Sequence, residues 1–235
     1  MDSKKLKLLL VLPLVIALIG FGLAIFVGVV SIIDNELFSL SLCFNNDCVG
    51  YFLKHIKNAL GIANSTLGIL VSVTTVGGIA IALLNYINSS NTSALSNHIA
   101  HFSIFHGYLN SEIKNLSMVS STSVDILSLY NLIFSKSRGG KTDVSKKYIE
   151  FVTSLNDEII RSNNKAQNAE EGSFRYKEHQ NRMISILINS GVTMTYLPRN
   201  DFFEAEGQVF SLIEKVNQSF CYTDSMPVLT KRLYI

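Results

Sequence analysis

Three of the chain's five histidines fall within nine residues, at His98, His101 and His106. On a helix His98 and His101 share a face, where their imidazoles could bind a metal ion or act as a proton-linked switch. His106 falls slightly out of line with that pair, on an apolar stripe, and no adjacent carboxylate completes a metal-binding signature. We therefore expect these imidazoles to be part of a stalk helix, and we predict no metal and no cofactor.

The sequence RGGKT at residues 138–142 is similar to the end of a phosphate-binding P-loop. The full pattern requires glycine where Ser135 stands, and it requires a preceding strand where the pattern here is helical. We predict a tight glycine turn instead. Because no nucleophile, acid and base occur at a catalytic spacing, we also expect a protein that is not an enzyme and has no small-molecule substrate.

Cys43 and Cys48 bracket the turn-forming run Asn-Asn-Asp. Two cysteines at this spacing can close a small disulfide loop on the oxidising side of a bacterial inner membrane. The alternative is a pair of unpaired thiols in an exposed loop, and we predict the disulfide.

Two long uncharged segments set where the cysteines, the histidines and the glycine turn lie relative to a membrane. The chain is 48% hydrophobic and only 16% charged, a balance that favours a membrane protein over a soluble domain. Residues 8–33 and 61–87 contain no Asp, Glu, Lys, Arg or His. Each is long enough to cross a hydrocarbon core of ~30 Å as a helix, so we predict two transmembrane helices. A cleaved signal peptide is the competing interpretation of the first segment.

The second span carries a polar face. Ser65, Gly68, Ser72 and Thr75 follow at intervals of three or four and share one side of the helix. A second row at intervals of four has the small-residue pattern that lets helices approach closely in lipid, and it consists of Thr74, Gly78 and Ala82. We predict that these residues line an oligomeric pore or pack against neighbouring copies. The alternative is that the hydroxyls bond to their own helix or pack the two spans together.

The remaining segments follow from this topology. Lys4, Lys5 and Lys7 precede the first span, which favours a cytoplasmic location for both termini in the bacterial inner membrane. We therefore predict a short cytoplasmic N-terminus at residues 1–7, a periplasmic loop at 34–60, a stalk helix at 88–118 and a helical cytoplasmic domain at 119–235. The predicted fold is an all-α membrane protein with two transmembrane helices and a small helical domain.

Within the cytoplasmic part we predict a heptad-like stripe on the stalk, a helix capped by Ser123, a polar connector near residues 161–173, and a C-terminal stretch without a clear period. The stripe consists of Leu95, Ile99, Phe102, His106, Leu109, Ile113 and Leu116.

The order of these features resembles that of the two-span membrane effectors of bacterial retron anti-phage systems. The residues that carry the resemblance are Cys43 and Cys48 and the segments YFLKHIKNALGI, SNHIAHFSIFHGYLNSEI and LIFSKSRGGKTDVSKKYIEF. The resemblance implies an inner-membrane toxin that permeabilises the membrane and causes abortive infection. It also implies that a reverse transcriptase with its msDNA controls the toxin.

Two other functions are compatible with the same sequence. The first is a two-span sensor or scaffold that relays a periplasmic signal to the cytoplasmic helices. The second is a small subunit of a larger membrane complex. We expect the effector to contact the lipid bilayer directly and to form a homo-oligomer.

Overall fold

The computed structural model describes residues 3–39, 45–168 and 174–234. Within these ranges the chain forms seven α-helices and no β-strand, so the predicted all-α class is confirmed. The helices are α1 (Ser3–Asp34), α2 (Asn46–His55), α3 (Lys57–Lys114), α4 (Ile126–Ile133), α5 (Lys146–Gln167), α6 (Tyr176–Leu187) and α7 (Arg199–Phe220). The chain divides into two compact units, Met1–Asn88 and Ser89–Ile235.

The first unit contains α1, α2 and the first half of α3. The candidate spans are Val11–Asp34 and a stretch within α3, and their most apolar windows are 6% and 0% buried by the chain itself. The core helix of a soluble protein would be covered on most sides. Apolar helices that their own chain leaves bare require lipid as their solvent.

Small residues bring α1 and α3 together. A Cβ atom added at Gly20 would lie 2.3 Å from the side chain of Thr66, so the helices meet where α1 has no side chain. One turn on, Ala24 is buried, and a further turn on, a Cβ at Gly28 would lie 3.5 Å from Ala59. This spacing of four is the close-approach pattern of membrane helices. We call this contact the α1–α3 seam.

α3 runs without interruption from Lys57 to Lys114. The Ser- and Asn-rich stretch after Ile87 is therefore helical, and the predicted boundary between second span and stalk at residue 88 lies inside one helix. Side chains of Ser and Asn lower helix propensity only modestly, so packing at both ends of α3 can hold this stretch in the helix. The helix ends four residues before the predicted end of the stalk.

The second unit packs α4 to α7 and the last turns of α3 around one apolar core. Phe105, Leu109 and Ile113 are the buried contribution of α3. The predicted stripe is wrong in its first half, because Leu95 and Ile99 are 55% and 58% exposed. The buried face there includes residues one position earlier, at Ala94, which faces Gly140, and at His98, which faces Ser137.

Turn chemistry explains several local features. Gly140 has φ 81° in the turn after residues 137–139, which confirms the predicted glycine turn in RGGKT. Asp125, rather than the predicted Ser123, caps α4, since its carboxylate accepts a hydrogen bond from the backbone N–H of Ser128 at 3.1 Å. Gly191 ends the helical stretch after α6 with φ 84°, as predicted.

Two segments that looked irregular are part of the folded domain. α5 continues to Gln167, through the first half of the predicted polar connector, and Ser162 and Asn163 are buried on it. The C-terminal segment after Phe220 has no regular secondary structure apart from a turn at residues 224–225, and its Tyr234 is completely buried. Both departures have one cause, which is a group of buried polar side chains described below.

Candidate functional site

The polar face predicted on the second span lies on α3 and is exposed. Its first row begins at Ser65 and ends at Thr75, and its second row begins at Thr74 and ends at Ala82. All seven residues of the two rows are exposed in the first unit. At about 100° per residue, the first row lies about 150° around the helix from the seam residues Ala59 and Thr66. We call this first row, Ser65, Gly68, Ser72 and Thr75, the hydroxyl–glycine ridge.

Three of the four hydroxyl groups in the two rows are bonded within the helix. Ser72 Oγ donates to Gly68 O at 2.9 Å, Thr75 Oγ1 to Val71 O at 2.7 Å, and Thr74 Oγ1 to Leu70 O at 2.7 Å. Such back-bonding satisfies a hydroxyl where no water is present. The acceptor capacity of each hydroxyl oxygen stays available to a neighbouring helix or to water.

The ridge is not what packs the two spans together. Thr66, which the sequence analysis did not select, takes that position, with its hydroxyl bonded to Ile62 O at 2.8 Å. A Cβ at Gly68 or Gly78 would meet no heavy atom within 4 Å. The ridge is therefore free for contacts outside the chain.

Of the two cysteines predicted to form a disulfide, only Cys48 lies in the described part of the chain, at the start of α2. Its backbone N–H donates to Asn45 Oδ1 at 2.9 Å, which caps that helix. Cys43 lies outside the described residues, so the Cys43–Cys48 bridge stays a prediction.

His98 and His101 face the helical domain and fill structural positions. His98 Nδ1 lies 3.0 Å from Ser137 Oγ, and His101 Nδ1 lies 3.0 Å from Tyr130 Oη. Burial, and then the nearby His98, lower the pKa of His101, which favours its neutral form. Within the described ranges, no three His, Cys, Asp or Glu side chains form a group suited to a metal ion.

His106 lies apart from that pair. It is exposed, and its ring nitrogens are within 3.3 Å of Asn110 Nδ2 on the same helix. The expectation that His106 lies on the packed stripe is therefore wrong, because the domain packs on the neighbouring face of α3.

The most polar buried site surrounds His179 of α6, which the sequence analysis did not select. Its ring lies between two carboxylates, with Nδ1 3.2 Å from Glu158 Oε1 and Nε2 3.0 Å from Glu206 Oε1. Glu158 comes from α5 and Glu206 from α7, so one imidazole joins three helices. We call these residues, together with Arg182, the buried charge network.

Each carboxylate has further donors. Ser162 Oγ donates to Glu158 Oε1 at 2.9 Å, and Arg182 Nε donates to Glu158 Oε2 at 2.8 Å. Glu206 Oε2 accepts from Arg232 Nη1 at 2.9 Å and from Tyr234 Oη at 2.7 Å. Such satisfaction is what a buried carboxylate needs to remain ionised.

The protonation states follow from this geometry. Burial alone would raise the pKa of Glu158, but the hydrogen bonds from His179, Arg182 and Ser162 outweigh it and lower the pKa to about 2. Burial alone would lower the pKa of His179, but its bonds to Glu158 and Glu206 outweigh that effect and raise the pKa. The network therefore holds an imidazolium between two carboxylates.

The buried charge network was difficult to find from the sequence because its members are far apart. Glu158, His179 and Glu206 are separated by 21 and 27 residues. A local signal did exist, since Glu158 and Ser162 fall on the same side of α5 as the apolar Leu155 and Ile159. Polar residues in an otherwise apolar helical stripe indicate a buried polar contact.

The exposed apolar hairpin and the separate helical domain together are consistent with an all-α membrane protein that has two candidate membrane-spanning helices and a helical domain. A family model described as Retron Ec48 antiviral membrane protein matches residues 52–224. The match covers the whole of the second predicted span and nearly all of the helical domain. The chain belongs to this family, and it is a retron antiviral membrane protein.

A curated relative agrees with this assignment. The chain is 28% identical over 206 residues to the Retron Ec48 transmembrane protein of Escherichia coli, covering 86% of this chain and 87% of the relative. No solved structure matches the chain. The resemblance stated from the sequence is thus confirmed, as are its membrane and antiviral character.

Proposed function

We propose that this protein is the toxin of its retron system, a non-enzymatic effector that permeabilises the bacterial inner membrane and aborts infection. The hydroxyl–glycine ridge carries the proposal. It is uncharged, it is free of the chain's own other span, and its small residues allow close approach of further α3 helices. We infer that several copies associate through it and that their hydroxyls line the resulting path.

The proposed control lies on the other side of the membrane from the loop at residues 34–60. With both termini in the cytoplasm, the helical domain would meet a reverse transcriptase carrying its msDNA. The family's antiviral membrane description supports an association with retron components, and the resemblance noted from the sequence supports this particular partner. We infer that the complex restrains the toxin and that phage infection releases it.

The ridge is tested by filling it. Gly68→Leu and Ser72→Leu should each abolish depolarisation, measured with a membrane-potential dye during induced expression, while leaving the amount of membrane-inserted protein unchanged. Ala80→Leu is the matched control, because Ala80 is exposed on the same helix about a quarter turn from the ridge. Depolarisation that persists in both ridge variants contradicts the proposed role of the ridge.

The partner is tested by co-expression. The tagged chain should retain the reverse transcriptase and its msDNA through detergent purification, and nuclease treatment or omission of the reverse transcriptase should increase depolarisation. Purification of the chain without either component, with toxicity indifferent to both, argues against this control.

The double variant Cys43→Ser with Cys48→Ser distinguishes the sensor interpretation from the effector interpretation. An effector triggered from the cytoplasm should still depolarise the membrane in this double variant. A sensor that reads the outer loop would lose its response.

A further inference from the structure

The C-terminal segment at residues 228–234 is held by its backbone. Asn156 and Asn163 are seven residues apart on α5, so they project from the same side of that helix. Each carboxamide pairs with one backbone acceptor and one backbone donor two residues further on. The bonds are Asn156 Nδ2 to Val228 O (2.9 Å), Thr230 N to Asn156 Oδ1 (2.8 Å), Asn163 Nδ2 to Lys231 O (2.9 Å) and Leu233 N to Asn163 Oδ1 (2.6 Å). This is how a neighbouring β-strand would bind an extended peptide.

Two side chains anchor the same segment on α7. Arg232 Nη1 donates to Glu206 Oε2 at 2.9 Å and to Phe203 O at 2.6 Å, and its guanidinium lies 3.7 Å from the centre of the Phe203 ring. Tyr234 is buried and shares Glu206 as acceptor. Gly207 makes the space, since a Cβ there would lie 2.4 Å from Arg232 Nη2.

The site keeps its charge balance without this segment. Glu206 retains His179 on its other oxygen, and Glu158 retains His179 and Arg182. Two carboxylates then face one imidazolium and one guanidinium. Without Arg232 and Tyr234 each carboxylate keeps a cationic partner, and water that enters the vacated space can replace the two donors that Glu206 Oε2 loses.

The connection to the segment is also easily moved. After buried Cys221 the chain has no regular secondary structure as far as residue 234, and Tyr222 is fully exposed. Detachment of residues 228–234 would break the contacts described above without unwinding a helix. The low contact density applies to the exposed residues 222, 224 and 225, which can move at low free-energy cost, whereas the contacts of residues 228–234 set the cost of detachment.

α7 lies between this segment and α3. One side of α7 presents Phe203 and Glu206 to the segment. The other side contacts α3 through Lys215 with Glu112, Ser219 with Tyr108, and Phe220 with Phe105. The position of the segment thus bears on how α7 is held against the helix that continues into the membrane.

We propose that the face formed by α5 and α7 is a binding site for an extended peptide carrying an arginine and, two residues on, an aromatic side chain. The resident ligand is the chain's own segment 228–234. Its release loosens α7 from α3 and is a step in activating the membrane hairpin. The binding site stands on the contacts alone, whereas the activation step rests on the proposed function.

Binding is tested in trans. The full chain and a variant lacking residues 228–235 are purified in detergent and titrated against a fluorescent peptide of residues 228–234. The shortened chain should bind it saturably, at least tenfold more tightly than a peptide with Arg232→Ala, and the full chain should bind little. A shortened chain that keeps its helical circular dichroism and cooperative melting, yet binds neither peptide or both equally, overturns the site.

Hydrogen exchange tests the same site in the full-length chain, so this test does not depend on truncation. Asn163→Ala should increase exchange of the Leu233 amide at least tenfold, while the amides of Val152 and Val209 keep their protection. Asn164→Ala is the control, because Asn164 is adjacent and exposed. Unchanged protection at Leu233, or loss of protection across the whole domain, shows that the segment is not a separable ligand.

The activation step is tested by locking the segment with Asn163→Cys and Leu233→Cys, in a chain whose three native cysteines are replaced by serine. Dye leakage from vesicles containing the oxidised protein should be lost and should return on reduction. Equal leakage in both states overturns the activation step. Leakage in neither state contradicts the proposed function instead, and the peptide site is then decided by the binding and exchange results.

Discussion

Different interactions stabilise the inside of each of the two units of this chain. The membrane hairpin has no charged residue within its spans, and its helices approach through Gly20, Ala24 and Gly28. The helical domain buries an imidazolium and two carboxylates beside its apolar core. In lipid, helix contacts depend on close packing. In a water-soluble domain, burial supplies the stability and paired charges specify which helices meet.

Because the two units are stabilised by different interactions, we expect them to respond to different perturbations. Changes in pH alter the protonation of the buried charge network. They should leave the predicted spans unchanged, because residues 8–33 and 61–87 contain no Asp, Glu, Lys, Arg or His. Changes in side-chain size act on the seam. The comparison can therefore be tested by perturbations to which one unit is sensitive and the other is not.

The largest effect is expected for Glu206→Ala. It leaves His179, Arg232 and Tyr234 without their shared acceptor, and breaking such a buried group lowers the free energy of unfolding by about 3–5 kcal/mol. Denaturant unfolding of the helical domain, followed by circular dichroism in detergent, measures it. Glu204→Ala is the control, since Glu204 is exposed two residues earlier on α7. Equal stability of the two variants would show that the network contributes little.

Acid should reproduce part of that loss. The lowered pKa of Glu158 gives stability that is complete above its ordinary value of 4.5 and is lost as pH falls towards about 2. The raised pKa of His179 gives stability that is complete below 6.5 and declines as pH rises through the folded-state value. Unfolding midpoints should therefore be highest between these limits. Glu158→Gln should flatten the acid side.

The seam should respond to size rather than to pH. Gly20→Leu places a side chain where Thr66 already lies, and such overpacking costs about 1–3 kcal/mol. The readout is oxidative cross-linking of Gly28→Cys with Ala59→Cys, in a chain whose native cysteines are replaced. Cross-linking should fall in the Gly20→Leu background and stay constant with Gly22→Leu, because Gly22 has no neighbour within 4 Å. The fraction of cross-linking lost on Gly20→Leu should also be the same at pH 5 and pH 8, because the pH dependence of the thiolate is common to both backgrounds.

The smallest effect is expected at a helix cap. Asp125→Ala removes the acceptor for the first turn of α4 and should cost about 1 kcal/mol. Ser123→Ala, at the cap position predicted from the sequence, should change the unfolding midpoint much less. Equal effects would mean that the loop as a whole, rather than the Asp125 carboxylate, begins the helix.

The sequence predicted the structure best where the presence or absence of one kind of residue left a single local structure. Long runs without charge predicted both spans, and Gly140 and Gly191 predicted turns that require positive φ. The stalk stripe was misplaced because periodicity identifies apolar positions but not their partners. Here Tyr130 and Ser137 supply polar partners for His98 and His101, so the domain packs on a histidine face while Leu95 and Ile99 remain exposed.

The buried charge network and the C-terminal segment were beyond sequence reasoning for a different reason. Asn156 and Asn163 have the character of solvent-exposed helix residues until the segment that they bind is known. Residues 228–234 have no period of their own because their partners alternate between backbone and side-chain contacts. A contact shared between two distant segments leaves at most a polar residue in an apolar stripe, as at Glu158 and Ser162, and that residue does not identify its partner.

The position of these parts along the chain also sets an order of synthesis. The hairpin is complete once residue 87 has been made. Glu206 of the buried charge network acquires its partners Arg232 and Tyr234 much later, and Tyr234 follows residue 87 by 147 residues (234 minus 87). At ~5–20 residues per second this interval lasts roughly 7 to 30 seconds. A nascent chain therefore presents its hairpin to the bilayer well before its own ribosome has supplied Arg232 and Tyr234, so each new copy passes through a short period in which Glu206 lacks both of these partners.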